Sequence, residues 1–175
     1  AGVATLTRGR RFAANVQMMV QGESETCYRM SIGDYRGALA RGGAFAELVG
    51  RFSDTFLAGV MQATGCNAMH TVVQRMAKWL LMAHDRMEAE TFPLTQEFLA
   101  MMLGATRPTV TVVAGGLQKA GLISYRRGKV QVVNRVGLEL ASCECYRATS
   151  VMFGAVIAAT RGVYRSLVCA YQAAA

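Results

Sequence analysis

Apolar residues recur at helical spacing through the middle of the chain. Phe45, Leu48, Val49, Phe52, Phe56 and Val60 lie three or four residues apart and make one stripe on a helix running from about 44 to 63, with Arg51 and Asp54 off the stripe. Little sequence nearby offers that stripe a core, so a seam between two copies of the chain is favoured over simple packing. Just ahead, Ser31-Ile-Gly-Asp starts a short helix, with Ser31 and Asp34 as capping residues. Residues 14–30 read instead as a hairpin: Val16-Gln-Met-Met-Val-Gln, a turn at Gly22-Glu-Ser-Glu, then Thr26-Cys-Tyr-Arg-Met. Two strands hold no fold by themselves, so this hairpin belongs to a larger sheet.

Gly65-Cys-Asn-Ala interrupts the helical pattern, with Asn67 as cap of a helix over roughly 68–86. Val72, Val73, Met76, Leu80 and Leu81 line one side of it, Arg75, Lys78 and Asp85 mark the other, and Trp79 suits a core. Phe92-Pro93-Leu94 ends a loop, and Thr95 is the N-cap of a helix over Gln96–Leu103. Gly104 permits the left-handed backbone of a sharp helix end. After Ala105, Thr106 caps a second helix with Pro108 in its first turn, where a missing N–H costs nothing. This helix runs through Val110, Val113 and Leu117 to Ala120, and Gly121 stops it. Two helices joined by so tight a glycine turn are a helix-turn-helix. Leu122-Ile-Ser-Tyr, Arg126-Arg-Gly-Lys and Val130-Gln-Val-Val then form a β-hairpin with its turn near Gly128, in the place of a wing.

Charge sharpens this reading. The net charge is +8, from 19 Lys and Arg against 11 Asp and Glu, which suits an anionic partner. Apolar residues make up 53% of the chain, so much of it is buried in a core or against a partner. Even so, no window reaches the roughly 18 to 20 uncharged apolar residues of a membrane span. The longest run, Val151–Thr160, stops at Arg161, and the start has no apolar leader core, so a cytoplasmic protein is expected. The opening Ala1-Gly-Val-Ala-Thr carries no start signal for helix or strand, which is the pattern of a fragment whose front lies elsewhere. Cys27, Cys66, Cys143, Cys145 and Cys169 are odd in number and irregular in spacing, which reads as reduced thiols. Cys143-Glu-Cys145 is not the usual two-residue-gapped metal pair, and His70 and His84 are distant in sequence, so no metal and no cofactor are expected.

The reading head resembles a known family. Thr95-Gln-Glu-Phe-Leu-Ala-Met-Met-Leu-Gly-Ala-Thr-Arg-Pro-Thr-Val, followed by Leu117-Gln-Lys-Ala-Gly-Leu-Ile and Arg127-Gly-Lys, resembles the Crp/Fnr regulators of bacteria. Upstream, Asn67-Ala-Met-His and Arg75-Met-Ala-Lys-Trp-Leu-Leu fit the helix that family places before its reader, and Ala141-Ser-Cys-Glu-Cys-Tyr resembles the end of one subgroup. The resemblance covers about residues 14–146. It implies an α+β, mostly helical fold: the end of a cyclic-nucleotide-binding-like β-roll over 1–37, a dimerisation helix over 38–66 and a winged helix-turn-helix over 67–146. A helical tail, 147–175, goes beyond the family pattern; its two apolar runs, interrupted at Gly162, are read as packing helix.

Residue roles follow from position and chemistry. Thr106, at a helix N-terminus, suits a phosphate oxygen, and Arg107 can grip guanine O6 and N7 together. Thr109, Val110 and Thr111 are placed toward the duplex, Thr95 and Gln96 on its backbone, and Arg126, Arg127 and Lys129 at the phosphates beside the wing. Family members that read the best-known site carry Glu and a second Arg where Pro108 and Val112 stand, so a different operator is expected. If Gly2-Val3 and Arg11-Phe12 are the cyclic-nucleotide positions, Val3 cannot accept a ribose hydroxyl and Phe12 has none to offer, so no effector is named. The implied partners are double-stranded DNA and a second copy of the chain, with RNA polymerase a further candidate and no membrane. A winged-helix module that binds protein is the alternative, against which the basic wing argues. Without a nucleophile–base pair, carboxylate dyad or phosphate loop, an enzyme is not expected.

Overall fold

The computed structural model describes residues 30–158, Glu88 excepted. Outside the described residues lie the hairpin expected over 14–30 (but for Met30), Gly2, Val3, Arg11, Phe12, Cys27, Cys169 and the tail past residue 158. The chain divides into two compact units, one of residues 61–150, the other of 1–60 with 151–175.

In the second of these, helix α1 (Ile32–Ala40) starts where Ser31 caps it: the Ser31 hydroxyl accepts from the Asp34 amide and donates to the Asp34 carboxylate at 2.6 Å. Tyr35 meets Phe45 edge-on, with ring centroids 5.8 Å apart. Helix α2 (Ala44–Met69) carries the long apolar stripe, with Phe52 and Phe56 stacked at 6.1 Å. Cys66 is its one buried residue; Leu57 and Met61 stay 61% and 68% exposed.

Here the structure corrects the expected boundary. Gly65 and Asn67 do not end α2, which continues to Met69. A single interior glycine costs only about 1 kcal/mol relative to alanine, and the helical ladder carries on to the His70 amide, bonded to the Cys66 carbonyl. The next cap is Thr71. Its side chain accepts from the Gln74 amide while the Gln74 side chain accepts from the Thr71 amide, a reciprocal box that starts α3 (Val72–His84). Asn67 instead accepts a bond from Arg75.

In the 61–150 unit, α3 buries Met76, Ala77, Leu80, Leu81 and Ala83. Two side assignments on α3 change: Lys78 is only 8% exposed, whereas Val73 is 41% exposed. Strand β1 (Thr91–Pro93) leads to α4 (Gln96–Leu103) and α5 (Arg107–Lys119), then β2 (Ile123–Arg126), β3 (Lys129–Val132) and α6 (Arg135–Ala141). A further helix, α7, begins here and spans Cys145–Ala158. The strands make an antiparallel sheet of order β1-β3-β2. Phe92-Pro93, read from sequence as loop, is therefore an edge strand, where a proline without an N–H is tolerated. Phe92, Val130 and Ile123 turn inward onto Leu80, Leu99, Val110, Leu117 and Leu138, closing one core under the helices. The β2–β3 turn uses positive φ at both Arg127 (50°) and Gly128 (73°), the left-handed pair that matches strand twist in a two-residue hairpin. Its tip is tied down: the Leu94 amide donates to the Gly128 carbonyl at 2.7 Å, and the Tyr125 hydroxyl to the Leu94 carbonyl at 2.9 Å.

Among the described residues no single helix is long and apolar enough to cross a membrane. The α4–α5 pair passes such a test together, but it bends by 104° and its apolar side chains Leu99, Leu103, Val110 and Leu117 fill the core.

Candidate nucleic-acid interface

The site is built from caps and one glycine. Thr95 caps α4 by accepting from the Phe98 amide, and Gly104 ends it in the left-handed region at φ 56°. Thr106 then caps α5 by accepting from the Thr109 amide. The two helices cross, and α5 points Val110, Ala114 and Leu117 into the core while Arg107, Pro108, Thr111 and Val112 stay exposed. Thr95, Gln96, Arg107 and Arg127 line one shallow cleft together with Glu97 and Tyr125.

Within that cleft Arg107 pairs with Glu97, Nη1 to Oε1 at 2.9 Å, both side chains more than 60% exposed. Such an exposed pair contributes about 0–1 kcal/mol, so a base or phosphate can displace it. The Thr111 hydroxyl donates to Gln96 Oε1 at 2.8 Å and to the Arg107 carbonyl at 3.0 Å, fastening the start of α4 to α5. That bond uses the Gln96 oxygen as its acceptor. The Thr106 and Thr109 hydroxyls bond each other at 2.9 Å. On the wing, Arg126 and Lys129 stand opposite each other in register, with Arg127 exposed in the turn between them. Like charges facing across a hairpin repel, and an anion between them relieves it. Burial, and then the Glu97 charge, raise the Tyr125 hydroxyl above its ordinary value against the pull of Arg107. It remains a neutral donor to Leu94.

One predicted contact is withdrawn. Val110 is fully buried, because it falls on the face of α5 that packs on α3 and the sheet, and no base edge reaches it. Two neighbours were missed. Val112 is 75% exposed, one turn beyond Pro108, and offers an apolar surface suited to a thymine methyl. Glu97 carries the charge that holds Arg107; the signal was an acid in the first turn of a helix whose partner begins with arginine. Cys66, Cys143 and Cys145 are free thiols, as read from the sequence, and they meet beside His70, which their spacing did not show.

Crossed helices of this build, with the wing following the second, match a domain already described. Residues 74–141 match the family model of the Crp-like helix-turn-helix domain. That stretch is a Crp-like helix-turn-helix domain. FixK2 from Bradyrhizobium japonicum shares the fold at 18% identity, over 64% of this chain and 59% of that chain, with a TM-score of 0.59. A CooA mutant from Carboxydothermus hydrogenoformans does so at 21% identity, over 63% of this chain and 55% of that one, with a TM-score of 0.54. A CRP/FNR-family transcriptional regulator from Thermus thermophilus is 30% identical over 49% of this chain and 47% of that chain, with a TM-score of 0.46. This chain spans about half the length of the solved structures it matches. Comparison with curated protein sequences gives no match. The matched residues take in α4, α5 and the β2–β3 hairpin.

Proposed function

We propose that the chain is a sequence-specific, DNA-binding transcription regulator of Crp/Fnr type that works in the cytoplasm as a homodimer. Each α5 enters a major groove, with half-sites about one helical turn apart. The observation that carries this reading is the exposed guanidinium of Arg107 at the head of α5, beside a cleft that the wing's Arg127 also lines. Arg107 reads a guanine, while Thr95, Gln96, Thr106 and the wing cations Arg126, Arg127 and Lys129 hold phosphates. Thr109, Thr111 and Val112 complete the surface on the groove side. The α2 stripe supplies the seam between copies, within a layout of truncated β-roll, dimerisation helix, reader and tail as the sequence divides them. RNA polymerase is the further partner such a regulator meets.

Footprinting of genomic fragments tests this directly. The expected result is a protected site with paired half-sites, and Arg107→Ala costs about 1–3 kcal/mol of specific binding while leaving non-specific binding in place. A footprint that survives Arg107→Ala removes the role given to that residue. If no duplex shifts below micromolar protein at moderate salt, the function itself is refuted.

A further inference from the structure

Four metal-ligand side chains converge in the 61–150 unit. Cys66 and His70 are four residues apart, so the last turn of α2 and the residue just past it present both on one side. Cys143 comes from the short link between α6 and α7, and Cys145 opens α7. Their ligand atoms all lie within 4.8 Å of one another. Cys66 Sγ is 3.6 Å from Cys143 Sγ, and Cys145 Sγ is 3.7 Å from His70 Nδ1. A tetrahedral ion bonded at about 2.3 Å to sulfur and about 2.0 Å to nitrogen sets its sulfurs about 3.8 Å apart, and sulfur about 3.5 Å from nitrogen. The set is already close to that shape. A four-iron cluster, which takes each ligand on a different iron, needs them spread wider.

The surroundings fit the same purpose. His70 Nε2 lies 3.1 Å from Glu144 Oε1. A carboxylate there accepts a hydrogen bond from Nε2–H, the tautomer that leaves the Nδ1 lone pair facing the sulfurs, and is the outer partner that metal-bound histidines usually have. Gln62 Nε2 donates to Cys145 Sγ at 3.0 Å, tying that sulfur in place. All three cysteines are at least 96% buried, so little solvent competes for a bound ion. Three thiolates and a neutral imidazole around a divalent cation leave one negative charge, and the nearly buried Lys78 acts on Cys66 to offset it.

We propose that Cys66, His70, Cys143 and Cys145 bind one soft divalent cation of the zinc type in a closed, structural site. Binding displaces whichever thiol protons remain. Three sulfurs and one imidazole nitrogen select zinc over oxygen-loving cations. With four protein ligands the shell is complete, so the ion clips the end of α2 to the link after α6 rather than performing chemistry. The ligands need only this cluster, and the inference stands whatever becomes of DNA reading.

The test uses the full chain, purified without chelator from cells grown with zinc. Elemental analysis is expected to give one zinc per chain. Cobalt(II) put in its place is expected to show the visible bands of a tetrahedral ion and a near-ultraviolet sulfur-to-cobalt band. A chelator should lower the melting temperature, and zinc should restore it. The cobalt bands should be lost in Cys143→Ser with Cys145→Ser, and kept in Cys27→Ser with Cys169→Ser. His70→Cys preserves one zinc per chain, and Glu144→Gln weakens zinc binding about 10- to 100-fold in competition with a chromophoric chelator. A native chain that takes up neither zinc nor cobalt overturns the proposal without any variant. So does a cobalt spectrum indifferent to Cys143 and Cys145. A Cys66–Cys143 disulfide in the unreduced native chain, seen by mass spectrometry in place of metal, overturns it in favour of a thiol switch.

Discussion

Arg127 sits where a side chain is least welcome. Its φ of 50° belongs to a two-residue turn whose first central position ordinarily takes Asn or Gly, and a larger residue there costs about 1 kcal/mol. A cation held at such a cost fits the phosphate contact proposed for it. Arg127→Asn is therefore expected to raise stability by up to about 1 kcal/mol in urea unfolding while weakening DNA binding. The slope of log K against log salt should fall by about 0.9, one phosphate contact; an unchanged slope would mean that Arg127 touches no phosphate. Single residues were legible from sequence wherever their reason was local. Thr95, Thr106 and Gly104 announce helix ends through their own chemistry, and each stands at its expected end. Val110 was misread because its role depends on which face of α5 meets the core, and that is settled by packing from α3 and the sheet.

At the level of elements, α4 and the start of α5 were legible to the residue because caps fix them, whereas α3 begins four residues later than expected and α6 was not read from the sequence. Elements defined by a distant partner were not legible. Strand β1 is only three residues long, contains a proline, and exists because β3 pairs with it from 38 residues further on, at Phe92↔Val130. The end of α2 was placed too early because a glycine was weighed without the capping box of Thr71 and Gln74 that starts the next helix. The thiol cluster failed for the same reason: His70 is far from Cys145 along the chain and beside it in space. Helix α6 gives a further case, fitted to the turn before it. A Cβ on Gly137 would lie 2.6 Å from Leu122 Cδ2 and 2.9 Å from Asn134 Nδ2, and Asn134 is the residue that caps the helix. Gly137→Ala is expected to destabilise the reader by about 1–3 kcal/mol, read as a lower urea midpoint with the slope unchanged. A midpoint equal to that of the unaltered chain would show that the contact yields freely.

For the molecule as a whole, the unburied apolar face of α2 is the feature that one chain leaves unexplained. Phe45 and Val60, at the two ends of its apolar stripe, are 36% and 47% exposed on a helix that buries little of itself. Replacing both with arginine should leave the reader's melting transition in place and halve the mass in sedimentation equilibrium. A dimer of undiminished affinity would move the seam elsewhere. The reader itself holds another consequence. Because Leu94, the residue before the α4 cap, is bonded to the tip of the wing at Gly128, the gap between the wing's cations and the head of α5 cannot vary freely. Such a head works like a fixed caliper. A duplex whose backbone does not match the jaws must bend or narrow to meet them, and the cost of that distortion depends on base steps the protein never touches.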